Sequence, residues 1–209
     1  MTKYYTADLH LNHARLTDIK FRNFDDEVAM NAKILENINA TVGKDDILYI
    51  LGDLCMSNEV NDAYVSEWLK AIRCNNIIII MGNHDKASRL RILKEKKIIA
   101  NWHYSKIIND TAFGLDFCIA LFHHPVIDYH SGKEAATCFH GHSHGYLKQH
   151  PPDLFDVGVD VWDFKPVTAE QVLSRYFGDH PNPYIGYMDT FKKYQTEYKQ
   201  FLENFEMIR

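Results

Sequence analysis

Ile77-Ile78-Ile79-Ile80-Met81-Gly82-Asn83-His84-Asp85 is the stretch on which the reading of the chain turns. Five consecutive apolar residues, four of them β-branched, give the pattern of a strand buried on both faces, as in the parallel sheets of α/β proteins. Ligands in such folds gather beyond the carboxyl ends of the strands, and Gly82-Asn83-His84-Asp85 stands there. Glycine permits a sharp backbone turn, the amide oxygen of Asn83 suits a hard cation, and His84 can carry a proton near neutral pH.

Other predicted strands end the same way. Residues 3–7 read as a first strand that delivers Asp8-Leu9-His10, with His13 three residues on and facing the same pocket. Residues 47–51 read as a second that ends in Gly52-Asp53, where one carboxylate can serve two cations because each oxygen can bind one. Between them, Val28, Leu35, Ile38 and Val42 recur at helical spacing over 25–42, with Gly43 as terminator. A helix after Ser57, with Val60, Tyr64, Trp68 and Ile72 on one face, returns the chain to the isoleucine strand. That β-α-β unit sets Asp53 beside Asn83.

After Asp85 a short basic helix carries Arg89, Arg91, Lys94, Lys96 and Lys97, read as a solvated face, the alternative being a rim that attracts phosphate. Strand signals resume over 104–108, turn at Asn109-Asp110, and continue over 117–122 into His123-His124-Pro125. Cys138-Phe139-His140 leads into Gly141-His142-Ser143-His144-Gly145, where flanking glycines and the H-x-H spacing let two imidazoles converge from one loop. Residues 154–161 read as a closing strand, and Pro166 with Thr168 sets up a helix to about residue 176. Tyr187, Phe191, Tyr194, Tyr198, Phe201 and Phe205 then form an aromatic seam on a further helix. It is expected to pack back on the domain, with a homodimer interface or a partner groove as its other use.

Composition narrows the classes. At 209 residues, with 46% hydrophobic and 24% charged, the chain reads as one soluble globular domain over 1–176 with a helical extension over 177–209. No segment suggests a membrane span, and the first strand starts too early to leave room for a leader, so a cytoplasmic protein is expected. A net charge of −5 argues against a protein that coats nucleic acid non-specifically. Cys55, Cys74, Cys118 and Cys138 form no C-x-x-C pair, which points to reduced core thiols rather than a zinc knuckle.

In order, the strand-end residues are Asp8, His10, Asp53, Asn83, His84, His123, His142 and His144, a donor set suited to two first-row divalent cations. Their motifs, D-x-H, G-D, G-N-H-D, a histidine before x-P and G-H-x-H, resemble those of the calcineurin-like metallophosphoesterase superfamily, in its small bacterial or phage type. The resemblance covers residues 3 to about 170 and closes with Val157-Gly158-Val159-Asp160-Val161. It implies a four-layer α/β/β/α sandwich of two mixed β-sheets flanked by helices, with the metals at one edge. It assigns Asp8, His10 and His144 to one metal, Asn83, His123 and His142 to the other, and Asp53 to the bridge, with His124 as the substitute if His123 is not the ligand. Manganese, iron, zinc and nickel all suit such ligands, and manganese is the expected activator.

The implied reaction is hydrolysis of a small, nucleotide-like phosphate ester, monoester or diester, by a hydroxide held between two cations about 3.5 to 4 Å apart. His84 would donate a proton to the leaving oxygen or neutralise it, and Asp85 would orient His84 or brace the turn. Arg22, in Phe21-Arg22-Asn23-Phe24, is a candidate phosphate clamp because a guanidinium suits paired oxygen contacts. Asp53-Leu54-Cys55-Met56-Ser57 lacks the Asp-Arg-Gly continuation of the superfamily's protein phosphatases, which disfavours a phosphoprotein substrate. A metal-dependent nuclease, served by the basic cluster, and a non-catalytic interaction module are the competing readings.

Overall fold

The computed structural model describes residues 1–18, 20–56, 61–126, 130–131, 134–135, 137–147 and 154–177. Strands β1 (Lys3–Thr6), β2 (Ile47–Leu51), β3 (Asn76–Ile80) and β4 (Asn101–His103) form a parallel sheet in that order. Each strand lies beside its predecessor and runs the same way, so every connection is a crossover, and crossovers of one hand put their helices on one face. Helices α1 (Glu27–Thr41), α2 (Asp62–Lys70) and α3 (Ala87–Glu95) accordingly share one core. Ile34 and Ile38, Trp68 and Leu69, and Leu90 and Leu93 pack there with Leu48, Ile50, Ile77 and Ile79.

The period of two sends the alternate side chains Tyr49, Leu51 and Ile80 to the opposite face. There they meet a second sheet, ordered β10 (Leu154–Asp156), β9 (Thr137–His140), β6 (Leu115–Leu121) and β5 (Lys106–Ala112). The isoleucine run therefore separates two cores, which is why it is apolar without alternation. Helix α4 (Ala169–Phe177) adds Ala169, Val172 and Leu173 to the core between the sheets. A two-residue ribbon, β7 (His130–Ser131) with β8 (Glu134–Ala135), lies between β6 and β9 in sequence. The architecture is the expected α/β sandwich, except that only the second sheet is mixed: β5 runs antiparallel to β6, while β6, β9 and β10 are parallel.

Three local expectations are corrected. The hairpin turns at Phe113-Gly114, with φ of 53° and 75°, rather than at Asn109-Asp110; paired left-handed residues match the strand twist of a two-residue turn. Asp110 instead sits inside β5 and accepts hydrogen bonds from Lys3 Nζ at 3.0 Å and Tyr5 Oη at 2.7 Å, tying the second sheet to β1. Helix α1, capped by Asp26, which accepts from Ala29 N at 2.7 Å, buries Met30, Ile34 and Ile38, whereas Val28 is 67% exposed in its first turn. In α2, Trp68 is buried as expected but Tyr64 is exposed, and Val60 lies outside the described residues. So does the aromatic seam over 187–205. No helix among the described residues is long and apolar enough to cross a membrane.

Candidate metal centre

The loops that follow β1, β2 and β3 meet those that follow β6, β9 and β10 at one rim. Backbone bonds join them: Asp8 N donates to Gly52 O at 3.0 Å, His10 N to Asp53 O at 2.9 Å and Val159 N to Ala7 O at 3.1 Å. At this rim the backbone leaves the strand conformation abruptly. Asp8, His10, Asp53, His142 and His144 all have left-handed φ, between 47° and 67°. Such angles are uncommon for residues with a Cβ and gather at functional sites, where surrounding structure holds them. Gly141 is required by close approach, since a Cβ there would fall 2.6 Å from Ala7 Cβ and 2.7 Å from Asp8 Oδ2.

Side chains separated by more than a hundred residues converge here. Asp8, His10 and His144 each bring a ligand atom within 4.8 Å of the other two, and so do Asp8, Asp53 and His123. His123, His124 and His142 form a third such group. Asn83 Oδ1 lies 2.9 Å from His123 Nε2 and 3.0 Å from His142 Nδ1, while His123 Nε2 is 3.4 Å from Asp53 Oδ2. All seven residues of the expected ligand set thus come together. His123 is buried among Asp53 and Asn83, and His124 is exposed with its ring 4.3 Å from that of His142, so both histidines face this half of the centre.

Whether these residues fit a cation is tested most directly by His10. Its ring is 3% exposed and neither ring nitrogen has a hydrogen-bond partner, although leaving a buried polar atom unpaired is costly. Burial, against the pull of Asp53, pushes its pKa down to about 3, so it is a neutral imidazole with a lone pair to offer. A divalent ion among Asp8, His10, Asp53 and His144 would satisfy that lone pair. Of the other groups, Asp53 is held ionised, while Asp8 and His123 are shifted toward their protonated forms. Burial resists ionisation of Asp53, but the hydrogen bond and charge of His123 and the amide of His84 hold its carboxyl at about 2. Burial dominates at Asp8 and pushes its carboxyl up to about 7. His123 is raised despite burial, because Asp53 favours its protonated form.

The imidazoles are oriented from behind. His123 Nδ1 lies 2.8 Å from Leu51 O and His144 Nδ1 lies 2.6 Å from Asp160 Oδ2, which leaves each Nε2 for a ligand. His84 is half exposed, its Nε2 3.9 Å from Asp53 Oδ2 and its ring edge-on to His10 at 5.5 Å. It stands at the centre without being held by it. His13 is half buried with its ring 5.4 Å from that of His10.

One expected role is corrected and one of two alternatives is selected. Arg22 is not open to substrate: its guanidinium donates to both oxygens of Asp160, at 2.7 and 2.8 Å, and to the carbonyls of Leu9 and Asp8, at 3.0 and 2.7 Å. Asp85 makes its contacts away from His84: buried beneath the loops, it accepts from Gly82 N at 2.8 Å, Asp53 N at 3.0 Å and Leu54 N at 3.1 Å. It braces the turn, the second of the two roles expected for it. The pattern also missed Asp156 and Asp160. Asp156 accepts from Ser143 Oγ at 2.5 Å and Gly145 N at 3.0 Å, fixing the turn that presents His142 and His144. Their signal lies in the Asp156-to-Asp160 segment around Gly158, whose sequence reads as a strand.

Known proteins share this fold and sequence pattern. A structure from Aquifex aeolicus, titled as a protein of unknown function, AQ665, matches with a TM-score of 0.60 at 22% identity, covering 81% of this chain and 96% of that one, and so supports the fold. The uncharacterized protein MJ1445 of Methanocaldococcus jannaschii is 28% identical over 81% of this chain and 88% of its own length. The Gene 66 protein of Mycobacterium phage L5 is 27% identical over 76% and 86%. A family model described as calcineurin-like phosphoesterase matches residues 1–146, and with its motifs gathered at one rim the chain belongs to that family.

Proposed function

We propose that this protein is a dinuclear-metal phosphoesterase that hydrolyses small, nucleotide-like phosphate esters. The observation that carries the reading is His10, a buried neutral imidazole with no hydrogen-bond partner, set among carboxylates and imidazoles of ligand type. Asp8, His10 and His144 would hold one cation, Asn83, His123 and His142 the other, with Asp53 reaching both. When bound, the two ions would supply an activated water and positive charge toward the phosphoryl oxygens. Asn83, His124 and His142 are exposed, whereas Asp8 and His10 are buried.

His84 suits proton transfer because its ring is half exposed beside Asp53 while its backbone N–H donates to Asp53 Oδ1 at 2.9 Å. That bond fixes where the ring starts without occupying the imidazole. His84 would hold a proton for the leaving oxygen. A nuclease is the second reading: in the basic cluster Arg89 is buried and paired through Nε with Asp62 at 2.5 Å, whereas Arg91, Lys94, Lys96 and Lys97 are exposed. Hydrolysis of bis-p-nitrophenyl phosphate and p-nitrophenyl phosphate, with manganese, zinc, nickel or iron added, tests the proposal. Turnover with at least one metal is expected; a folded protein inert with all of them overturns it.

A further inference from the structure

Beside His144 the rim opens into a cavity of about 680 Å³, which shares His144, Arg22 and Asp160 with the centre and is walled by Phe21, Tyr146 and Phe164. Its size is that of a small-molecule site. Phe21 is 59% and Tyr146 70% exposed. Single exposed aromatic residues are ordinary, but two on the wall of one cavity beside a candidate metal centre form an apolar surface with a place to use it.

Both rings sit on braced turns. Phe21 N donates to Asp18 O at 2.8 Å, and its neighbour Arg22 is pinned to Asp160. Tyr146 N donates to Ser143 O at 2.8 Å, two residues after His144, which is paired to the same Asp160. One carboxylate therefore fixes the neighbours of both rings. The cavity is poorly suited to a second phosphate: Arg22, the cation in its wall, is already engaged with Asp160 and two carbonyls, and Asp163, exposed and paired with Lys165 at 3.3 Å, offers oxygen acceptors rather than donors. A flat, uncharged ring bearing hydrogen-bond donors fits both the aromatic walls and Asp163.

We propose that this cavity is a nucleobase subsite, so that the substrate is the phosphate ester of a nucleoside whose phosphate lies at the metal centre and whose base stacks against Phe21 and Tyr146. The inference rests on the phosphoesterase reading for the position of the phosphate. Base stacking on an aromatic side chain contributes about 1–3 kcal/mol, or roughly 5- to 150-fold in affinity.

Calorimetric titration of the manganese-loaded full chain with adenosine 5′-monophosphate and with methyl phosphate separates the base from the phosphate. Adenosine monophosphate is expected to bind at least about tenfold more tightly. Phe21→Ala and Tyr146→Ala should each weaken it about fivefold or more while leaving methyl phosphate unchanged, and Phe21→Trp should retain it. Methyl phosphate serves as the check that each variant is folded. Equal affinity for the two ligands in the unaltered protein, equal losses for both in the variants, or no binding of either overturns the subsite. Base-dependent binding without hydrolysis of any p-nitrophenyl ester would sink the phosphoesterase reading and leave the subsite standing.

Discussion

Arg22 and Asp160, 138 residues apart in sequence, meet in a two-pronged ion pair, with Nε and Nη2 at 2.7 and 2.8 Å from the two carboxylate oxygens. Asp160 also takes the Nδ1 side of His144, so this pair orients a candidate ligand from behind. Outer partners of metal-bound histidines typically carry about 10- to 100-fold in metal affinity. Asp160→Asn should therefore lower affinity at the Asp8 side of the centre by about that factor, measured by competition with a chromogenic chelator. Unchanged affinity would reduce the pair to a structural tie.

Asp85 offers a test of stability independent of metal. Its carboxylate satisfies three backbone amides from two loops, and each buried amide left unpaired costs about 1–3 kcal/mol. Asp85→Ala should lower the unfolding free energy of the metal-free protein by about 3 kcal/mol or more in urea titration. A loss under about 1 kcal/mol would mean that water or backbone rearrangement replaces the acceptor.

His84 separates chemistry from metal binding. Its side chain is half exposed and outside the ligand groups. His84→Ala is expected to keep its full metal content by elemental analysis while kcat falls about 10²- to 10⁴-fold. Equal turnover in the variant would remove His84 from the catalytic step.

The pH dependence of metal stabilisation follows from Asp8. Burial raises its carboxyl from 3.8 to about 7, so the folded protein keeps a proton there over a range in which the unfolded chain has released it. The metal-free fold accordingly loses stability from this group as pH climbs through that window. A divalent cation needs the ionised form, whereas His10, held at about 3, is neutral throughout. The rise in Tm on adding manganese should be small near about pH 5.5 and larger near about pH 8, by scanning calorimetry. The same rise at both would exclude Asp8 as a ligand.

Much of this was legible in the chain because the signals are local. The isoleucine run declares a doubly buried strand, and a ligand-type side chain directly after a strand can point only to that strand's end. What stayed hidden depends on residues far apart. Arg22 reads as an open guanidinium until Asp160 arrives from the other end of the domain, and Asp85 reads equally as a partner for His84 or as a brace until the Gly52 and Gly82 loops close over it. The Phe113-Gly114 turn was missed because Asn109-Asp110 has the stronger turn composition. Asp110 faces Lys3 and Tyr5 instead, a cross-sheet contact that no window of neighbouring residues contains.

The left-handed backbone at Asp8, His10, Asp53, His142 and His144 sets two demands against each other at the same five positions. Glycine would accept those angles without steric conflict, and an L-residue gives up roughly 1 kcal/mol at each. Asp8 and Asp53 offset that cost by accepting from the amides of His142 and His84, whereas the partnerless ring of His10 does not, so a variant library screened for thermal resistance alone should lose His10 before it loses the carboxylates.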